Sequence, residues 1–396
     1  MNRRAFLAAA CAPALLQSEP ARETLLILDS GQAERIRSSL DPAHRAIFER
    51  LADEALRAGP WSVTFRRPEG GLTNAGPHDY FSEGPYWWPN PANPNGPYIR
   101  RDGQRNPDRF QANRQDLERM STSTLALGIG GYFLNKPGCL EQAERVLSTW
   151  FVDPATRMNP NLEHGQAIRG ITQGRGTGLI DTVSLIRCVQ GLVLLEAAGG
   201  LGTDLRNGLR QWFADFVHWM TTSKKGLDEK KSGNNHATWW AAQVAAYAVF
   251  LQDGGALRMT FDDYRKYLVP SEIRPNGSCP REEARTNSLS YSCFNLDAFS
   301  VLCRIAHVHG ADLWNFVAKD GGSVAKACDY LLPFVLHPAS WPHQQIGPFK
   351  PDGIVFPGLA GVGLRSRKLL DAYTTLPHAK SAWDQLIDVA VLTSEW

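Results

Sequence analysis

Apolar residues recur at three- and four-residue spacing along most of this chain, and strand-like alternation is scarce. That period gathers positions i, i+3, i+4 and i+7 on one face, so it predicts helices. The segments are 30–58, 115–134, 139–150, 179–198, 201–221, 235–251, 261–267, 291–309, 323–335 and 381–392. Short connections between successive helices favour helix-on-helix packing, either a toroid of helical hairpins or an α-solenoid. A solenoid calls for a fixed sequence period, and none is present. The pattern therefore predicts an all-α protein, an incomplete (α/α) toroid of helical hairpins with long aromatic loops.

The first residues break this pattern. Met1-Asn2-Arg3-Arg4 precedes an apolar, alanine-rich run to Leu16, which predicts an export signal over 1–22. Arg3-Arg4 followed by Phe6-Leu7 fits the twin-arginine type, with an ordinary secretory signal and a lipoprotein-like Ala8-Ala9-Ala10-Cys11 as alternatives. The expectation is a periplasmic or secreted protein whose mature part, 23–396, forms one catalytic domain. No linker-like or low-complexity tract divides it, and no later stretch approaches the roughly 20 apolar residues that span a bilayer.

Charge narrows the partners. The chain has 42 basic and 40 acidic side chains, a net charge of +2, spread along its length. Nucleic-acid binding calls for a basic stripe, so that class is not expected. Beyond Cys11 the cysteines are Cys139, Cys188, Cys279, Cys293, Cys303 and Cys328. In an oxidising compartment these either pair, with Cys279–Cys293 the first choice, or serve as small buried hydrophobes. None has metal-site spacing, the histidines show no ligand cluster, and no cofactor is called for.

Two irregular tracts interrupt the helices. Residues 81–103 hold Phe81, Tyr86, Trp87, Trp88 and Tyr98 among prolines and glycines that forbid a regular helix. Such a loop either lies across a groove or plugs one end of the bundle. The glycine-rich tract 163–178 carries Gln166 and Arg175 but lacks the Gly-Lys-Ser/Thr of a nucleotide loop.

Two segments carry chemistry. Ser232-Gly233-Asn234-Asn235-His236 feeds a helix whose period places His236, Trp239, Trp240, Gln243 and Tyr247 on one side. An imidazole, indoles, an amide and a phenol together suit a groove that stacks sugars, while a capping histidine and core tryptophans are the plainer alternative. The second segment, 280–295, holds Glu282, Glu283, Arg285, Ser288, Ser290 and Tyr291. Ser288 or Ser290 can cap a helix there, placing Tyr291 in its first turn, where the helix dipole and Arg285 favour a phenolate. The plainer alternative ties the tyrosine to backbone and pairs Arg285 with Glu282 or Glu283.

Taken together, Asn234-Asn235-His236 with Trp239-Trp240, and Arg285 leading to Leu289-Ser290-Tyr291 and Asn295, resemble the alginate-lyase family of helical-toroid polysaccharide lyases. Tyr86-Trp87-Trp88-Pro89 and Tyr98-Ile99-Arg100-Arg101-Asp102-Gly103 are similar to sequences of its broader branch, including glucuronan-lyase-like members. The second motif departs from the best-known branch: Arg285 stands six residues before Tyr291, and Ser292-Cys293-Phe294 follows it.

The resemblance implies β-elimination on a 1,4-linked uronate polymer, alginate (polymannuronate) or glucuronan. Asn235, His236 and Arg285 would neutralise the C6 carboxylate, whose charge grows as C5 loses its proton. Tyr291 would take that proton and return one to O4, with His236 as the alternative base when the two lie on opposite ring faces. Trp87, Trp88, Trp239 and Trp240 are stacking candidates, and Arg100, Arg101, Gln166, Arg175 and Gln243 are further substrate-binding candidates. A glycoside hydrolase, which needs two carboxyl groups with Asp79 or Glu83 contributing, and a periplasmic oligosaccharide-binding protein are the competing readings.

Overall fold

The computed structural model describes residues 25–69 and 72–394. The expected export signal and Cys11 lie outside the described residues. The helices are α1 (Ser30–Ser39), α2 (Pro42–Leu56), α3 (Ala112–Leu134), α4 (Cys139–Leu147), α5 (Leu185–Ala197), α6 (Thr203–Thr222), α7 (Lys224–Lys230) and α8 (Asn235–Leu251). They continue as α9 (Gly254–Asp263), α10 (Val269–Glu272), α11 (Pro280–Glu283), α12 (Ser288–Val308), α13 (Val324–Leu336), α14 (Phe356–Gly363), α15 (Arg367–Thr375) and α16 (Ala382–Leu392).

Helices buried on nearly every side form an inner ring. α3 packs on α5, α5 on α8, α8 on α12, α12 on α14 and α14 on α16, which returns to α3 and α2. Amphipathic helices stand outside it: α2 and α4 on α3, α6 and α9 on α8, α13 on α12, α15 on α14. This is the all-α toroid. α3 and α5 approach closely: a Cβ on Gly128 would stand 2.6 Å from the Gly191 carbonyl oxygen. One apolar core runs around the ring from Leu25 to Val391. Among the described residues no single helix is long and apolar enough to cross a membrane.

Several boundaries differ from expectation for local reasons. The predicted 30–58 helix breaks in two, because Pro42 sits at the first position of α2 and the Asp41 side chain accepts from the Ala43 and His44 amides. The 179–198 helix is a 3-10 segment, Gly176–Thr182, followed by α5. Neither serine caps α12. Asn287 occupies the cap without a side-chain bond, and Gln345 Oε1 accepts from the Leu289 and Ser290 amides instead. Cys279 and Cys293 do not pair: both are free and buried, as are Cys139, Cys188, Cys303 and Cys328.

The irregular tracts form four short strands: β1 (Phe81–Glu83), β2 (Trp87–Trp88), β3 (Ile99–Arg100) and β4 (His164–Ala167). β1 pairs parallel with β4, and β2 antiparallel with β3. The aromatic loop is thus a hairpin held against the glycine-rich tract, and it reaches the start of α12.

Candidate active site

A cleft of about 380 Å³ opens where the hairpin, the β4 tract and the N-terminal ends of α8 and α12 meet. Its lining includes Tyr86, Trp87, Gln166, Asn235, His236 and Tyr291, together with Arg100, Arg105, Arg114, Arg175 and Arg285. Asp181 is the carboxylate among the lining residues, and it is already committed: it accepts from Tyr80, Ser82 and Gln166. The cleft is strongly cationic, which suits a polyanion.

The turn before α8 is built for one geometry. Gly233 has φ +64°, and a Cβ there would lie 2.2 Å from the Arg281 guanidinium. Asn234 follows as the cap, accepting from the His236 amide at 3.2 Å. Asn235 and His236 then occupy the first turn of α8, each gripped by a buried carboxylate.

Glu282 accepts from the Asn235 backbone amide at 2.6 Å and from Asn235 Nδ2 at 3.0 and 2.8 Å. Glu229, at the end of α7, lies 2.6 Å from His236 Nδ1 and directs the other ring nitrogen away from itself. Burial pushes both carboxyls up, against the lowering effect of these partners.

Tyr291 stands in the first turn of α12, its hydroxyl 2.5 Å from that of Tyr86. The Arg285 guanidinium sits over its ring, 3.8 Å from the centroid. Burial and the Tyr86 hydroxyl push the Tyr291 phenol up, and Arg285 opposes them without prevailing. The helix end and Arg285, expected to favour a phenolate, are thus opposed by burial and by Tyr86.

Arg285 does not pair with Glu282 or Glu283. It makes a two-point ion pair with Asp102 of the hairpin, Nη2 to Oδ1 at 2.9 Å and Nε to Oδ2 at 3.2 Å. Asp102 also accepts from Arg100 at 2.6 Å and from the Thr286 amide and hydroxyl. Although burial pushes the Asp102 carboxyl up, Arg285 and Thr286 hold it well below the usual carboxylate range.

The remaining candidates divide. Trp87, Arg100, Gln166 and Arg175 line the cleft. Gln166 adopts φ +48°, and its amide bridges Arg175 and Asp181. Such a backbone in a buried side chain marks a position fixed by its surroundings. Trp88 and Arg101 are outside the lining, with Arg101 over the Trp88 ring at 5.2 Å.

Trp239 and Trp240 are not stacking platforms. They are 7% and 1% exposed, because the side of α8 that bears them faces neighbouring helices. Gln243 is likewise inside, bonded to Thr182 and Tyr247. Asp79 and Glu83 do not line the cleft, and Glu83 is consumed by Arg169 and the Phe110 amide.

The pattern along the chain did not single out Tyr86, Arg105, Arg114, Asp181, Glu229 or Asp102 as site residues. Glu229 precedes His236 by two helical turns of sequence, a faint signal. Asp102 meets Arg285 across 183 positions, beyond any local pattern.

Residues 68–341 match the family model of alginate lyases. No curated protein sequence matches the chain significantly. The fold is similar to the crystal structure of an alginate lyase from Bacteroides ovatus, at 31% identity over 92% of this chain and 98% of that one, with TM-score 0.84. It is also similar to alginate lyase A1-III from Sphingomonas species A1, at 18% identity over 92% of this chain and 97% of that one, TM-score 0.58. A histidine-to-alanine variant of A1-III complexed with tetrasaccharide gives TM-score 0.61 at 18% identity, covering 92% of this chain and 95% of that one. The family match spans the residues that build the cleft, from the hairpin to the first turn of α12, and the chain belongs to the alginate lyase family of polysaccharide lyases.

Proposed function

We propose that the protein cleaves alginate at 1,4-linked mannuronate by β-elimination, with Tyr291 as base and then acid. The observation that carries this reading is the convergence of Asn235, His236 and Tyr291 in one cleft walled by arginines. The Bacteroides ovatus relative is an alginate lyase, and an A1-III variant was captured with tetrasaccharide.

Asn235 and His236 bind the C6 carboxylate at the cleaved linkage and lower the cost of charge growing there. Tyr291 as phenolate takes the C5 proton. The C4–O4 bond then breaks, a C4–C5 double bond forms, and the phenol returns its proton to O4. One tyrosine serves both ends only when proton and leaving oxygen share a ring face, as in mannuronate.

Arg285 acts on the base, since its cation over the ring favours the phenolate and its Nε and Nη2 are held by Asp102. Arg100, Arg105, Arg114 and Arg175 hold carboxylates of neighbouring sugars, and Trp87 supplies the stacking surface. Export under a signal over residues 1–22 would bring the enzyme to such a polymer outside the cytoplasm.

The test is incubation with polymannuronate, polyguluronate and glucuronan while following ultraviolet absorbance from unsaturated uronate ends. Absorbance growing fastest with polymannuronate supports the proposal. Faster growth with polyguluronate or glucuronan reassigns the substrate, reducing ends without absorbance mean hydrolysis, and binding without either product leaves only a binding protein.

A further inference from the structure

The Asn235 amide is tied at one end and unpartnered at the other. Its Nδ2 and its backbone N–H give Glu282 three donor contacts, while its Oδ1 is buried without a partner in a side chain that lines the cleft. Each contact uses a lone pair of Glu282, an arrangement that suits the ionised carboxylate. With Glu282 ionised, Asn235 therefore offers the cleft an acceptor.

A uronate carboxylate is also acceptor-only, so the two oxygens repel. The conflict vanishes when Glu282 gains a proton and the amide turns over. The acid O–H then donates to Oδ1, the backbone N–H still reaches the carboxyl, and Nδ2 is released into the cleft as a donor. Turning an amide exchanges O for N with almost no change of shape, so the packing tolerates both states.

We propose that a substrate carboxylate is received by a coupled event in which Glu282 takes up one proton and Asn235 reverses its amide. Glu282 is thereby a positioning residue that sets whether Asn235 donates or accepts. The inference rests on the uronate reading of the cleft and adds a proton-linked control to it.

The surroundings pull the Glu282 carboxyl both ways. Burial pushes the Glu282 carboxyl up; the Asn235 donors, Arg285 and His236 hold it down. From α10, Glu272 faces the same region and is itself pushed up to about 8 by burial, with Glu282 contributing, and the buried Cys279 thiol adjoins the start of α11. At acid pH Glu282 is already protonated and binding imports nothing. As pH rises through its titration, uptake approaches one proton per bound carboxylate and affinity falls by up to about tenfold per pH unit.

The experiment is calorimetric titration of the Tyr291→Phe protein with mannuronate tetrasaccharide, in buffers of differing ionisation heat, across neutral to alkaline pH. Uptake that climbs toward one proton and disappears in Tyr291→Phe/Glu282→Gln supports the proposal, because the glutamine amide donates to Oδ1 permanently. If that double variant folds poorly, Tyr291→Phe/Glu282→Met, which has no proton to take up, should also bind without uptake. Binding without uptake in the Tyr291→Phe protein, or uptake that survives both second substitutions, overturns it. Absence of binding, with no unsaturated ends formed by the wild type, removes the uronate reading instead.

Discussion

The Arg285 guanidinium lies over the Tyr291 ring while its N–H groups clasp Asp102, 183 residues earlier in the chain. One cation thus favours the phenolate and fastens the aromatic hairpin to the start of α12. Asp102→Asn keeps the shape but loses the charge. We expect it to lower stability by roughly 1–3 kcal/mol, the cost of leaving a buried charged donor poorly satisfied. Denaturant unfolding checks this, and its pH dependence carries a sign. The folded Asp102 carboxyl is held low, so the wild-type advantage is present above the unfolded value of about 3.9 and fades as pH falls below it. An advantage that grows on acidification contradicts this assignment.

Tyr86 supplies a second handle on the base. Its hydroxyl, after burial, is what pushes the Tyr291 phenol up. With the phenolate as the proposed reactive form, kcat should rise with pH in the wild type. Tyr86→Phe removes one raising influence, so the rising limb should move to lower pH. A limb that stays in place separates Tyr86 from the titration of the base.

Glu229 orients His236 through a 2.6 Å contact from a buried position. Glu229→Gln can hold the ring by only a neutral bond and in either tautomer. A loss of up to about 100-fold in kcat/KM is expected from the misplaced imidazole, with recovery in part by Glu229→Asp. Stopped assays on polymannuronate measure both, and a wild-type rate in Glu229→Gln makes the contact merely structural.

Trp240 tests packing against binding. It is buried beside Lys230, whose Nζ lies 5.1 Å from the ring centroid. Trp240→Ala should cost roughly 3–5 kcal/mol of stability through the cavity it leaves. KM measured below the unfolding range should change little. A large rise in KM without destabilisation would return Trp240 to the substrate.

Much of the toroid was legible because α8, α12 and α5 are long apolar runs whose helical period is unbroken. Where burial rather than local preference makes the helix, the pattern was silent. α14, Phe-Pro-Gly-Leu-Ala-Gly-Val-Gly, is rich in residues that oppose helix yet packs against α12, α15 and α16. α7 is short and polar, and with it Glu229 was missed. The site was legible where chemistry sits in adjacent residues, as in Asn235-His236 and Arg285 to Tyr291. The carboxylates behind them were not, since Glu282 reaches Asn235 across 47 positions. Period alone also does not tell a groove from a core: of the two alternatives for Trp239 and Trp240, burial selects the core.

Tyr291 is the group proposed to move the proton. Turnover of polymannuronate by Tyr291→Phe, followed as ultraviolet absorbance of unsaturated ends alongside tetrasaccharide binding, tests that role most directly. Turnover should fall by about 1000-fold or more, within the range of an acid–base group, with binding largely retained. Near-normal turnover in Tyr291→Phe would contradict it.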